Sequence, residues 1–312
     1  MRWRQRWGIG LVAVFLSALV LGCSPQGPAF QSQDSPGASI QVVTTFSLLK
    51  DLVDHVGGDK VEVYSMVPQG TDPHDYQPLP EDIEAATQAD VLVWNGLGME
   101  TGGGWFAGLV DVAGKELGSS QVIEASRGVR PLTLGSDEEP NPHAFLSPRA
   151  GEKYVENIAV GLGKVDPPNR DYYLNRAQEF TADIRELDKR YEAELAAVQS
   201  PVLVTSERAF QYVAHHYGLT EGYLWLIDSD EQATPEQVID LIEFIDKHKP
   251  RGLLIETNVD PRPMEVVSEE SGVPVVGEVY SDELGPPGSP AATYIDYLEY
   301  NLEAYINAGG RS

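Results

Sequence analysis

Residues 170–199 read RDYYLNRAQEFTADIRELDKRYEAELAAVQ, and this stretch decides the architecture of the chain. It contains neither glycine nor proline, it is rich in Glu, Arg, Lys, Ala and Leu, and it follows Pro167-Pro168. These features predict one continuous helix, about 45 Å long at 1.5 Å per residue. A linker of glycine and serine would let the flanking segments swing freely, whereas a helix would hold them rigidly. We therefore assign residues 167–200 to a linking helix.

Short β-branched runs alternate with helical patterns on both sides of this helix. Such alternation is typical of parallel sheets flanked by helices. The sequence therefore predicts an α/β fold with two lobes, at residues 40–166 and 201–312, each a parallel sheet flanked by helices. Ligands of such sheets bind beyond the carboxyl ends of the strands, so a site is expected in the cleft between the lobes. The predicted strands are residues 40–45, 61–67, 91–94, 121–125, 202–205, 222–227, 252–256 and 274–279, and the other predicted helices are 48–56, 80–88, 208–217, 235–248 and 294–306.

The composition is that of a globular and strongly acidic protein. Of its 312 residues, 42% are hydrophobic and 22% are charged, which is typical of a folded chain long enough for two domains. The 48 acidic and 22 basic residues give a formal net charge of −26, which repels phosphate backbones and excludes nucleic-acid partners. A single cysteine excludes a disulfide framework and any metal site built from cysteines. We expect the protein to be a monomer.

The first residues predict export and lipidation. Three arginines precede an apolar stretch at residues 9–21, which is short for a permanent membrane span and ends in Val20-Leu21-Gly22-Cys23. This order is typical of a lipoprotein signal peptide, here residues 1–22, after whose removal Cys23 carries the lipid. A plain secretory signal with an incidental cysteine is the alternative. Residues 23–39 are then the lipidated cysteine and a flexible tether rich in Pro, Gly, Ser and Gln.

Two loops in the first lobe share the pattern Asx-Pro-His-x-aromatic. One is Asp72-Pro73-His74-Asp75-Tyr76 and the other is Asn141-Pro142-His143-Ala144-Phe145. Proline restricts its own backbone and that of the residue before it, so each histidine would be presented on stiffened backbone. Imidazoles held in this way suit a preorganised metal site. Either loop alone could simply carry a surface histidine, but the repetition favours a shared role for His74 and His143.

Two acidic residues follow predicted strands of the second lobe. Glu207 comes after the strand at 202–205, at the start of a helix, and Asp282 follows the strand at 274–279. Taken singly, each has an ordinary explanation, because the helix dipole favours an acid at a helix start and acids are common in turns. The two histidines and the two acids are far apart along the chain, so they do not form a local metal motif.

Taken in order, these segments resemble a known family across nearly the whole chain after the signal peptide. They are similar to the receptor lipoproteins of manganese, zinc and iron ABC importers, the metal-binding cluster A-I class of solute-binding proteins that includes adhesin-type surface antigens. The segments that carry the resemblance are Asp72-Pro73-His74, Asn95-Gly96-Leu97-Gly98-Met99-Glu100, Pro142-His143-Ala144-Phe145, Thr205-Ser206-Glu207, residues 256–267 and Tyr280-Ser281-Asp282.

The resemblance implies a function in metal capture and delivery. It assigns His74, His143, Glu207 and Asp282 as the ligands of one divalent metal ion in the cleft. It also implies an extracytoplasmic protein on the periplasmic side, anchored by its lipid to the membrane, that delivers the ion to the membrane subunits of an ABC permease. A separate ATPase is expected, because residues 108–116 depart from a phosphate-binding loop in spacing and end in Glu116, where Ser or Thr would hold Mg²⁺.

The ligand set favours Mn²⁺, with Fe²⁺ or Zn²⁺ as alternatives. Half of its donors are oxygens and none is a thiolate, and carboxylates permit more than four coordination positions. Zinc-specific members of the family usually carry a histidine where Glu207 stands, and often a histidine-rich loop where residues 134–140 are acidic here. Asn141 and Phe145 replace the family's commoner acid and tryptophan. From other classes, a surface adhesin or a metallohydrolase remains an alternative, although no His-Glu-x-x-His motif is present and we expect no enzymatic activity.

Overall fold

A computed structural model describes residues 39–100, 104–135, 139–227 and 233–311. The predicted signal peptide, Cys23 and nearly all of the tether lie outside these residues. Within them the strands are β1 (Ile40–Thr44), β2 (Val61–Ser65), β3 (Val91–Trp94), β4 (Val122–Glu124), β5 (Val202–Glu207), β6 (Thr220–Trp225), β7 (Leu253–Glu256) and β8 (Val275–Val279). The helices are α1 (Ser47–Gly57), α2 (Pro80–Gln88), α3 (Trp105–Val112), α4 (Pro148–Val165), α5 (Arg170–Leu195), α6 (Gln211–Tyr217), α7 (Pro235–His248), α8 (Arg262–Ser271) and α9 (Tyr294–Gly309).

Every strand pairing in the described residues is parallel, as predicted. The N-terminal sheet has the order β2-β1-β3-β4, with Ile40 opposite Val61 and Val42 opposite Val91. The C-terminal lobe contains the parallel pairs β5–β6 and β7–β8, and β5 lies beside β7. Since helices pack against the parallel strands of both lobes, the predicted α/β class is confirmed. Parallel strands end at one edge of each sheet, and the loops at that edge face the other lobe.

The predicted linking helix is α5, which ends at Leu195, somewhat earlier than residue 199. It packs against α4, α1 and α9, so it is held by both parts of the chain rather than crossing an open gap. Its buried residues recur every three or four positions, which places them on one stripe of the helix. They are Tyr173, Ala177, Phe180, Ile184, Leu187, Tyr191 and Leu195.

The hydrophobic core does not divide at the linking helix. One buried cluster joins the N-terminal lobe to α5, to α9 and to part of β5 and α6. A second, smaller cluster lies between the C-terminal strands and the helices α7 and α8. Helix α9 crosses onto the first lobe, where the backbone N–H of Tyr294 donates to Asp51 and its hydroxyl donates to the carbonyl of Phe145. The domain boundaries at 166/167 and 200/201 therefore stay predictions.

Helix α4 was not predicted, because three glycines lower its intrinsic helix propensity. The structure gives a reason for two of them. A Cβ atom at Gly151 would lie 2.1 Å from the Tyr294 hydroxyl, and one at Gly161 would lie 2.3 Å from the side chain of Ile123. These glycines let α4 approach α9 and the sheet closely, and the packing stabilises a helix that the local sequence disfavours.

Helices α3 and α8 were likewise not predicted. No described helix is both long enough and apolar enough to cross a membrane.

Candidate metal centre

Three of the four predicted ligands converge at the carboxyl edge of the strands. The Nε2 atom of His143 lies 3.3 Å from Nε2 of His74 and 3.2 Å from Oδ1 of Asp282. All three residues offer donor atoms within 4.8 Å of one another. Donor atoms that share one ion through bonds of about 2.0–2.2 Å stand about 3 Å apart at adjacent positions. The observed separations suit such an arrangement.

Glu207, the fourth predicted ligand, lies close to His143 but not to all three of these residues. Its Oε1 lies 3.2 Å from Nε2 of His143, but the residue falls outside the group whose donor atoms all lie within 4.8 Å of one another. All four side chains are buried; His74 is the most exposed, at 6%. The positions of the four suit a metal ion, and their role as ligands remains a prediction.

Asn141 orients the imidazole of His143. Its Oδ1 lies 3.0 Å from the backbone N and 2.8 Å from Nδ1 of His143. An amide oxygen can only accept, so Nδ1 carries the proton and Nε2 presents its lone pair to the centre. The Nδ2 group of Asn141 donates across the cleft to the carbonyl of Arg208 and to Oε1 of Gln211. The family's commoner acid could not make these two donations.

Replacement of Asn141 by alanine should weaken metal binding although the ligand set is intact. Without its acceptor the His143 ring loses its fixed tautomer and orientation, and losses of this kind typically cost about 10–100-fold in metal affinity. Calorimetric titration of the variant with Mn²⁺ would measure the effect. Asn307→Ala, at an exposed position of α9, is the matched control and should bind as the unaltered protein does.

His74 is held by its own loop and by the loop after β3. The carboxylate of Asp72 accepts a hydrogen bond from the backbone N–H of His74, and the backbone of Met99, in the loop after β3, acts electrostatically on the His74 ring. Gly96, Leu97 and Gly98 all adopt positive φ angles, which bend this second loop sharply toward the histidine. Burial lowers the pKa of His74 to about 4, so its imidazole is neutral and able to coordinate at neutral pH.

Glu100 stabilises the loop after β3 through hydrogen bonds between its buried carboxylate and the backbone of that loop. Its carboxylate accepts hydrogen bonds from the Thr45 hydroxyl at 2.7 Å and from the backbone N–H groups of Asn95 and Gly96 at 2.6 and 3.2 Å. Burial nevertheless raises the pKa of Glu100 to about 7. Asn95, which this carboxylate fixes, donates in turn to the carbonyl of Pro142 next to His143. Glu100 thereby supports both histidine loops.

The raised pKa of Glu100 predicts that this side chain contributes more to the stability of the metal-free protein as the pH falls. An acid whose pKa is higher in the folded than in the unfolded chain binds more protons when folded, so its contribution is lost as the pH rises through 7. Glu100 should add about 1 kcal/mol to the free energy of unfolding between pH 8 and pH 6. In urea unfolding of the chelator-treated protein, the Glu100→Gln variant should lack this contribution relative to the unaltered protein, because the other buried groups with shifted pKa are the same in both. Glu84→Gln, exposed on α2, should retain it.

The backbone around Glu207 and Asp282, the two acids of the second lobe, is also held by hydrogen bonds to buried side chains. The carboxylate of Glu256, at the end of β7, accepts from the backbone N–H groups of Ser206 and Glu207, each at 3.1 Å. The Tyr297 hydroxyl donates to the carbonyl of Ser281, next to Asp282. In the sequence, Asn141 stands out only as a departure from the family beside a histidine, and Glu100 and Glu256 only as members of segments that carry the resemblance. Those segments were the available signal, and the hydrogen bonds that connect these residues to the site are seen only in the fold.

Comparison with known proteins agrees with this geometry. The family model described as zinc-uptake complex component A, periplasmic, matches residues 42–308. The chain belongs to this family. The resemblance found in the sequence is therefore confirmed, and the family consists of periplasmic solute-binding proteins of ABC transporters.

Curated relatives of the family carry names for different metals. The chain is 34% identical over 299 residues to a manganese ABC transporter substrate-binding lipoprotein, PsaA, from Streptococcus mitis, covering 94% of this chain and 96% of the relative. It is 36% identical over 300 residues to an iron ABC transporter substrate-binding lipoprotein, MtsA, from Streptococcus pyogenes serotype M1, covering 94% and 95%.

Solved structures of related proteins share the fold. A Mn-bound periplasmic metal-binding protein from Candidatus Liberibacter asiaticus is 29% identical, with a TM-score of 0.78 over 86% of this chain and 98% of that one. The periplasmic zinc-binding protein TroA from Treponema pallidum has a TM-score of 0.79 at 24% identity, over 88% and 100% of the two chains, which shows a shared fold.

Proposed function

We propose that the protein captures a divalent metal ion outside the cytoplasm, with Mn²⁺ as the physiological ion, and delivers it to an ABC-type import permease. The observation that carries this proposal is that residues of both lobes bring metal-binding atoms together. Nε2 of His143 lies 3.3 Å from Nε2 of His74 and 3.2 Å from a carboxylate oxygen of Asp282. A second carboxylate, from Glu207, lies equally close to that nitrogen. Buried carboxylates gathered around a neutral imidazole are costly unless a cation compensates them.

The charge of the proposed site matches a divalent ion. The carboxylates of Glu207 and Asp282 carry two negative charges, and a neutral imidazole from each histidine adds none. The loaded site would be neutral, so it could remain enclosed without a large desolvation cost. Mn²⁺ suits this set better than Zn²⁺ does, because two oxygen donors with variable denticity permit coordination beyond a tetrahedron. Intrinsic affinity favours Zn²⁺, so selectivity must come from geometry or from metal supply.

Transport suits the enclosed site better than catalysis does. A metallohydrolase needs an open coordination position and access for its substrate. Here His143 and Glu207 have no solvent exposure and Asp282 has 2%, which leaves no room for a substrate beside the ion. The relatives are named as substrate-binding lipoproteins, and the proposed partners of this chain are accordingly the membrane subunits of a permease with a separate ATPase, reached from a lipid anchor at Cys23.

The experiment that tests this function is metal uptake in the native host. Deletion of the gene should abolish high-affinity uptake of radioactive Mn²⁺, the intact gene should restore it, and a gene carrying Asp282→Ala should not. Elemental analysis of the protein purified from the host without added metal should find about one manganese per chain. Uptake that survives deletion, or protein that carries only iron or zinc, would contradict the assignment of Mn²⁺.

A further inference from the structure

Building on the receptor function proposed above, we propose that a small clasp on one flank of the cleft, rather than a swing of the two lobes, sets the rate at which the metal ion enters and leaves. The clasp consists of Gln69 and Gly70 from the first lobe and Glu283 and Leu284 from the second. The two flanks of the cleft differ in the number of hydrogen bonds that join the lobes and in the burial of those bonds.

The opposite flank, which we call the seam, is fastened firmly. Six hydrogen bonds join residues 132–134 and Asn141 of the first lobe to Arg208, Gln211 and Tyr212 of the second. The Tyr212 hydroxyl takes part in two of them, accepting from Leu132 N–H and donating to the Asn141 carbonyl. Asn141 and Tyr212, which between them take part in four of the six bonds, are buried. Opening this flank would expose many paired polar groups at once.

The seam binds together the segments that carry two of the proposed ligands. His143 stands two residues after Asn141, and Glu207 directly precedes Arg208. A rigid swing of the lobes would have to break all six bonds. It would also have to disrupt the packing of α5 and α9, which contact both lobes. His143 and Glu207 therefore form a fixed half of the site.

The clasp is smaller and lies nearer to solvent. Gln69 Nε2 donates to the Leu284 carbonyl at 2.7 Å, and the Gly70 N–H donates to the Glu283 carboxylate. At its base the Leu284 N–H donates to the Ser47 hydroxyl at 3.1 Å. Gln69 and Gly70 are exposed and Glu283 is half-buried. Gly70 has a φ of 76° with no atom near its Cβ position, so its loop is not wedged in place by packing.

The clasp adjoins the other two proposed ligands. Glu283 directly follows Asp282, and His74 lies four residues after Gly70. His74 and Asp282 are also the ligands with residual solvent exposure, whereas His143 and Glu207 have none. Release of the clasp would free the His74 and Asp282 loops from each other and uncover the ion on this side, while the seam keeps the fixed half in place.

The test is the kinetics of Mn²⁺ exchange in the Gln69→Ala/Glu283→Ala double variant. Removing two clasp hydrogen bonds should raise both the association rate and the rate of release to excess chelator by about tenfold. Because a gate acts on passage in both directions, the Kd should change by less than about threefold. Stopped-flow fluorescence gives the rates, and calorimetry gives the Kd. A variant whose ligands were displaced would instead release faster with an unchanged association rate and a weakened Kd.

Two controls separate the clasp from general loosening and from charge. Tyr212→Phe also removes two hydrogen bonds, but from the seam, and should leave both rates within about twofold of the unaltered protein. Glu283→Gln keeps an acceptor for Gly70 and should stay within about threefold. Unchanged rates in the double variant, or an equal rise in Tyr212→Phe, would overturn the clasp alone. Failure of the unaltered protein to bind Mn²⁺ would overturn the receptor function and the clasp with it.

Discussion

His143→Ala should lower the affinity for Mn²⁺ by at least about a thousandfold, beyond the 10–100-fold that follows loss of an outer hydrogen-bond partner. The Nε2 atom of His143 is the point around which the site is arranged, since His74, Glu207 and Asp282 all approach it within 3.3 Å. Its removal deletes a donor and also leaves two buried carboxylates without their nearest nitrogen. Isothermal titration calorimetry with Mn²⁺ measures the loss directly.

Thermal unfolding provides an independent measurement of the same variant. Saturating Mn²⁺ should raise the melting temperature of the unaltered protein, because a ligand that binds only the folded state stabilises it, and should barely shift that of His143→Ala. His215→Ala is the control, since His215 is exposed on α6 and should bind normally. A site elsewhere in the chain would be indicated if His143→Ala bound Mn²⁺ with undiminished affinity.

Glu207→His should shift the ratio of the two metal affinities further toward zinc and away from manganese. The substitution exchanges a carboxylate for an imidazole, so the donor set becomes three nitrogens and one carboxylate and the loaded site gains a positive charge. Nitrogen-rich sets favour Zn²⁺, whereas Mn²⁺ depends on oxygen donors. We expect Mn²⁺ affinity to fall about a hundredfold while Zn²⁺ affinity falls far less. Competition titrations with both metals would give the ratio.

The matched control places a histidine where it cannot reach the site. Glu243→His, at an exposed position of α7, adds the same side chain and removes the same charge from the protein. Its metal preference should equal that of the unaltered protein. If Glu207→His weakened both metals equally, Glu207 would support the fold of the site without selecting its metal.

The sequence was sufficient to predict the frame of the molecule because that frame depends on local patterns. Alternating periodicities predicted the parallel sheets, and the absence of glycine and proline predicted α5. Residues that follow strands were expected at one edge, and His74, His143 and Asp282 do meet there. Helix α4 escaped prediction because its stability comes from close contacts at Gly151 and Gly161, which only the folded chain contains.

The supports of the site depend on contacts between distant segments, which no local pattern records. Asn141 matters because it reaches Arg208 and Gln211 across the cleft, and Glu256 matters because it accepts from the backbone of β5. The offset of Glu207 from the other three residues could not have been predicted either, since it depends on how β5 and β7 lie side by side. Such long-range contacts decide how well the site is preorganised.

The proposed metal site requires that His74, His143, Glu207 and Asp282 hold one cation between the lobes. Diffraction from crystals grown with Mn²⁺, recorded at the manganese absorption edge, tests it most directly. We expect a single anomalous peak in the cleft, about 2.0–2.3 Å from Nε2 of both histidines and from carboxylate oxygens of Glu207 and Asp282. A peak elsewhere in the chain, or one from which any of these four side chains is turned away, would contradict it.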